Sequence, residues 1–554
     1  MDFSKLSGRL CITLILLVGA AAHGLCLGAD YYMDDFVVRN AAFLEWDGTL
    51  QNNIFRSIPA ILAVAADQVF PGSSVAQHVW NLLIHLCLSV TIFWGARVFI
   101  EASNLFQKRV QVRRAAFFGA LIFACHPICS EALNYSRCTM IQLVALFSVL
   151  AAIGTLKFCQ RPSWGAGVGT LVVVLIAAFS KDPGILHAVA NVMIVVLVFA
   201  KWSAVTKFLR RPIDWVLASM SVAALFGMVL HSFTNWWLVR AVSAFKGGAI
   251  GFGEHTLTQG RIFWAYVQRM FLPVNLSVDH HVPMTRSMAD VPAVLMTAAV
   301  FALVCVVAWM MFVKRLRIFG VLGMLGLAPL LLRFLYPISE LMVEYRVYPA
   351  MPWIAALAGI GLAVCYQKNE RLMKVVMLAL VLAGVGGSIM RSAVWQDAGT
   401  LAQDVVDQYP TNNRARTELQ RVAYESGDFG RVIELRKDVV AAVDLIGEYN
   451  AATEDSGRSY LLSRTNKFFL FSEAKVALVL AESVGSRQAL VFIDDVEGRM
   501  RPHYPSYFDE ESRDYNFWSP LAELRGLIHQ HGAEQDRRIA AQLQQASVVD
   551  SNEP

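Results

Sequence analysis

The chain has 554 residues, of which 56% are hydrophobic and 16% charged, with a mean hydropathy of +0.48. No soluble globular protein of this size needs that much apolar surface, so the composition excludes a soluble enzyme and points to a polytopic membrane protein. Charge is uneven: residues 1–391 hold 31 Lys+Arg against 17 Asp+Glu, and Ser392 to the end holds 17 against 26. Two domains follow, a basic hydrophobic membrane part over 1–391 and an acidic tail over 392–554.

Lys5 and Arg9 precede an apolar run from Leu10 to Leu27, long enough to span. A cleaved signal peptide ending at Ala20-Ala21-Ala22 is the alternative to a retained first helix. YYMDDF follows, with Asp34 and Asp35 at the mouth of that helix. Carboxylates so close to hydrocarbon are costly and are functional candidates by default; the plainer reading is a charged boundary loop. Arg39 to Pro71 is semi-polar and predicts amphipathic helices on the outer face.

A second span over 78–100 leads into Lys108, Arg109, Arg113 and Arg114, a cytoplasmic marker. Spans near 115–125 and 139–156 flank an outer turn containing HPICSEALNYSR. Spans at 165–180 and 184–200 flank a second, SKDPG, and 213–231 leads to a long outer loop, 232–288. Spans at 291–313 and 318–335 precede the outer turn 336–346, which contains PISELMVEYR; spans at 347–366 and 372–390 complete eleven. The basic loops then place the N-terminus in the cytoplasm and the tail outside.

All nine cysteines lie in the membrane part. The tail must therefore hold by packing, without disulfides. Cys125, Cys129 and Cys138 cluster near one face, as small packing residues or as a metal site. The tail from Leu401 to Val440 has apolar positions at helical spacing, a Pro-Thr-Asn-Asn joint and a Gly-Asp joint. That length suits one tetratricopeptide-like unit, and such arrays bind peptides or proteins on a concave face.

Four polar clusters thus share the outer face: Asp34/Asp35, His126–Arg137, Ser180–Gly184 and Glu344–Tyr348. Arg137, Lys181 and Arg346 can bind phosphate oxygens. Asp34 or Asp35 can accept a hydroxyl proton, and the pair could hold a divalent cation. His126 and Glu131 can orient these groups or shuttle protons, with Glu344 and Tyr348 as further support. Singly each is weak: a lone Arg near a helix end usually snorkels to the interface.

HPICSEALNYSR resembles the His-Pro-x-x-x-Glu-Ala…Arg motif of the transmembrane tetratricopeptide-repeat O-mannosyltransferases. DDFVVRN, HVWNLLIH (His78 to His85), SKDPGI and EYRVYPAMP resemble further segments of that family in the same order. LPVNLSVDH (Leu272 to His280) resembles its outer-loop segment. Asp182 stands where those enzymes usually show Glu, and the repeat region is short and irregular. The resemblance implies an all-α GT-C helical bundle that uses a polyprenyl-phosphate-linked sugar donor, with an acidic residue of the first outer loop as catalyst. A bacterial inner-membrane relative glycosylating a Ser/Thr hydroxyl of an exported protein, such as a type IV pilin, fits by analogy.

No Trp-Trp-Asp-Tyr-Gly segment, Asp-x-Asp motif, P-loop or dinucleotide fingerprint is present, and no nucleic-acid partner is expected. Two alternatives stand beside this expectation: the same chemistry on a lipid or cell-wall glycan, and a transporter of polyprenyl-linked sugars. A transporter should show paired repeats with broken helices, and the sequence has no such symmetry.

Overall fold

The computed structural model describes residues 7–32, 54–231, 233–234, 251–285, 287–335, 341–410, 412–436, 472–501, 521–522 and 524–530. Every regular element among them is a helix. The chain divides into two compact units, Met1–Phe245 with Phe252–Asp397, and Lys246–Gly251 with Ala398–Pro554.

In the first unit the helices are α1 (Gly8–His23), α2 (Ser57–Val69), α3 (Ser74–Ser103), α4 (Arg109–Ala124), α5 (Ser130–Asn134), α6 (Thr139–Gln160), α7 (Trp164–Ala178), α8 (Gly184–Phe199), α9 (Trp202–Phe208), α10 (Pro212–His231), α11 (Phe252–Phe271), α12 (Val291–Phe312), α13 (Arg317–Leu331), α14 (Met351–Lys368) and α15 (Glu370–Val394). A helix stands at each of the eleven expected span positions. Seven of the helical segments are long and apolar enough to cross a bilayer: Gly8–Gly28, Ser74–Ser103, Ser136–Gln160, Ile213–His231, Val291–Phe312, Arg317–Leu335 and Glu370–Val394. Arg109–Ala124 joins them only with Pro127–Asn134, across a 52° bend. The expected spans at 165–180, 184–200 and 347–366 fall on α7, α8 and α14, which do not reach that length and hydropathy together. A chain with this set of long apolar helices is built for a membrane, where a helix satisfies its own backbone.

The longest helix, α3, has 30 residues and starts where Ser73 Oγ accepts the Val75 amide. At 1.5 Å per residue it runs about 45 Å, more than a hydrocarbon core. His78, Asn81, His85 and Ser89 recur at helical spacing and are all buried, so α3 carries a polar stripe inside the bundle. It packs on α1, α2, α4 and α6. A close backbone contact stands elsewhere, between α4 and α14. A side chain at Gly359 would meet the Ala115 carbonyl and the Gly119 amide, so two glycines let these backbones touch.

The loop expected over 232–288 contains a 20-residue helix, α11, with buried His255, Gln259, Ile262, Tyr266 and Met270 on one side. Its apolar stripe is diluted by Glu254, Gln268 and Arg269, which hides it from a search for spans.

In the second unit, Ala398–Gln408 packs on Asn413–Glu425, which starts where Asn412 Oδ1 accepts the Ala415 amide. Gly427 turns the chain at a φ of 77°, a conformation that favours glycine, and a further helix covers 429–436. Ala477, Ala489, Ile493 and Leu521 form a buried cluster between the helices 472–483 and Ser486–Met500 and the short described piece beyond them.

Candidate functional site

Asp34 and Asp35 lie outside the described residues. The other three expected clusters are described: a hydrogen bond from Tyr345 to Glu131 joins two of them, and Lys181 of the third meets the Tyr345 ring. The turn from His126 to Cys138 hangs on the polar stripe of α3. His78 Nδ1 lies 3.1 Å from the Leu133 carbonyl, and Asn81 Nδ2 donates to the carbonyls of Leu133 and Tyr135 at 3.3 and 3.2 Å. Asn81 Oδ1 in turn accepts from Thr139 Oγ1 at 2.5 Å. One face of one helix therefore shapes a turn some fifty residues away, and this is what His78 and Asn81 of HVWNLLIH do.

His126 is fully engaged. Its Nδ1 accepts the Ile128 amide at 3.3 Å, which leaves Nε2–H to donate to the Met270 carbonyl at 3.0 Å. It braces the turn against the end of α11. Tyr348 Oη donates to His85 Nδ1 at 2.9 Å, while His85 Nε2 lies 3.2 Å from the Ala124 carbonyl. Glu131, 1% exposed, accepts the Tyr345 amide through Oε2 at 2.7 Å. Glu344 Oε1 accepts from the Ser277 amide at 2.7 Å and from His280 Nε2 at 2.9 Å. These four supporting residues thus tie the turns to one another, to α3, and to α11 and the loop after it.

The cations gather differently. Lys181 sits in the turn between α7 and α8, where Gly184 allows the chain to fold back against the Ala177 carbonyl. Its Nζ lies 5.2 Å from the centre of the Tyr345 ring, and the Arg346 guanidinium lies 5.9 Å from the same ring. Asp182 is taken by Arg56, whose Nε and Nη2 both donate to Oδ2, at 2.9 and 2.7 Å. Burial, and after it the charge of Arg333, push Lys181 down from the ordinary 10.5 to about 7. Cys138 acts in the opposite sense, and Arg56 and Arg346 add to the fall. Arg137 is half-buried in the turn Ser136–Cys138, beside Cys138.

An aromatic chain runs from Tyr32, just past the first helical segment, into this cluster. Tyr32 lies 6.0 Å from Trp395, Trp395 stacks on Tyr135 at 6.3 Å, and Tyr135 lies 6.3 Å from Tyr345. The result is a gathering of cations, Lys181 and Arg346 on one ring with Arg333 and Arg56 near enough to act on Lys181, a setting that suits an anion.

Sequence reasoning missed Arg56, Arg333 and Trp395, and gave Tyr345 and His280 no role although both lie in segments it singled out. Arg333 had a usable signal: it is a lone charge inside the apolar run 318–335, and such residues are functional candidates. Trp395 had none, because its role comes only from packing. Cys125, Cys129 and Cys138 are buried and unbridged, and among the described residues no group of three or more His, Cys, Asp or Glu could hold a metal ion. Comparison with protein-family models, with curated proteins and with solved structures finds no match.

Proposed function

We propose that this protein is a GT-C glycosyltransferase that moves a monosaccharide from a polyprenyl-phosphate carrier to a Ser/Thr hydroxyl of an exported protein. The reading puts the site at the outer face of a bacterial inner membrane, with eleven crossings, a cytoplasmic N-terminus and a periplasmic tetratricopeptide-like tail. The observation that carries it is the pair of cations, Lys181 and Arg346, on the ring of Tyr345, among the further charges of Arg56 and Arg333. Such a group suits the phosphate of a lipid-linked donor, because it neutralises the charge that develops as the sugar leaves.

In this reading Asp34 or Asp35 accepts the proton of the acceptor hydroxyl as its oxygen attacks the anomeric carbon. The carbon–oxygen bond to phosphate breaks, and polyprenyl phosphate leaves against Lys181, Arg346 and Arg137. The attack is in line, so the sugar inverts.

The test is sugar transfer by the purified protein from a radiolabelled polyprenyl-phosphate monosaccharide to an exported-protein acceptor. Asp34→Asn or Asp35→Asn should cut transfer by roughly 10²–10⁴-fold with donor binding retained. Near-normal turnover in both single variants removes the base assignment, and donor transport without transfer removes the enzyme reading.

A further inference from the structure

The short segment carrying Tyr345 and Arg346 is fastened at successive residues by groups far away in the chain. At Val343, Tyr266 Oη donates to the carbonyl at 2.9 Å and accepts the amide at 3.1 Å. At Glu344, the carboxylate receives the Ser277 amide and His280 Nε2. At Tyr345, the amide goes to Glu131. Arg346 Nη1 donates to the Leu341 carbonyl at 3.2 Å and closes the segment on itself.

All of these anchors are buried: Tyr266 is 3% exposed, His280 6%, Glu344 1% and Ser277 0%. Buried polar groups are a poor way to gain stability, since apolar side chains of similar size would pack at least as well. What they supply is a defined orientation. Glu344–Val347 is a 3-10 turn, in which successive side chains are about 120° apart. Fixing the Glu344 carboxylate therefore fixes the directions in which Tyr345 and Arg346 leave the backbone.

We propose that His280 is a positioning residue: acting through Glu344, it sets the direction of the Tyr345–Arg346 turn, so that ring and guanidinium face an anion beside Lys181. This deepens the donor-phosphate reading above and rests on it. His280 belongs to the loop after α11, and the bond it makes to this segment runs to the Glu344 carboxylate. A purely structural role would lower thermal stability and weaken every ligand alike. A positioning role acts on the anion alone.

The experiment uses the full-length protein in lipid nanodiscs and a synthetic polyprenyl-phosphate monosaccharide as probe. His280→Ala should raise the Kd for this probe about tenfold, the scale of losing one hydrogen bond to a charged group. It should raise the donor KM in the same proportion and leave the KM for a Ser/Thr peptide unchanged. His280→Gln keeps an N–H donor close to the position of Nε2 and should restore donor affinity to within about threefold. Tyr266→Phe keeps the volume, removes both bonds to Val343 and should weaken the probe several-fold, which keeps the test open if His280→Ala does not fold.

Equal donor affinity in the wild type, His280→Ala and Tyr266→Phe overturns the inference. Equal damage by His280→Ala and His280→Gln also overturns it, because packing alone would then explain the loss. Failure of the unmodified protein to bind the probe overturns the donor-site reading and this inference together, and the three outcomes are distinct.

Discussion

Lys181 offers the sharpest test of the anion site. Burial and the nearby arginines hold it at about 7, against an ordinary 10.5. A phosphate oxygen about 4 Å from its Nζ would attract the ammonium by about 4 kcal/mol at an effective dielectric of 20. That equals about three pH units. Donor binding should therefore return Lys181 close to the ordinary lysine range and take up a proton near neutral pH. Below pH 7 the lysine is already charged and affinity should be flat; above it each unit should cost up to about tenfold.

Between pH 6.5 and 8.5 the expected loss is about 20-fold. The ligand should be a phosphodiester-linked donor, whose single charge does not change over that range, with Kd measured by titration calorimetry. Lys181→Arg stays charged throughout and should bind with no slope over the same range. A flat wild-type profile, or the same slope in Lys181→Arg, refutes the reasoning. The unliganded protein has the companion effect. Between 7 and 10.5 the folded state binds fewer protons than the unfolded state, so stability should rise with pH through that window, and the penalty is fully present below it.

Asp182→Asn leaves Arg56 facing an amide where two charge-assisted bonds stood, and should cost about 1–2 kcal/mol in denaturant unfolding. Because Arg56 keeps partial access to solvent, a larger loss would point to collapse of the Lys181 turn. Gly359→Val pushes α4 and α14 apart against the Ala115 carbonyl and the Gly119 amide. It should cost about 3 kcal/mol, visible as poor recovery of folded protein from membranes; normal recovery would contradict the close contact. A chain ending at Asp397, the last residue of the first unit, should still insert and bind the donor, and it should lose much more transfer to the native protein acceptor than to a short Ser/Thr peptide in excess. If both activities fall together, the tail supports the membrane unit and does not recruit the acceptor.

The helical membrane class was written in the composition and in runs of apolar residues, and the eleven helix positions followed from those runs and the basic residues between them. Lys181, Glu131, Glu344 and Arg346 were also legible, since charges at the ends of apolar helices are costly and stand out. Helix α11 was not, because its apolar residues occupy one side of a segment that is polar on average, and hydropathy averages over both sides.

The sequence by itself determined which segments are helices and which charged residues stand at their ends, because both depend on local patterns of a few residues. Only the tertiary structure decided how those residues divide their roles. Arg56 meets Asp182 across 126 positions, and Glu131 meets Tyr345 across 214. His85 meets Tyr348 across 263. Nothing local in the chain marks either member of such a pair for the other. The pairing is set by how the helices pack, and packing is a property of the whole bundle.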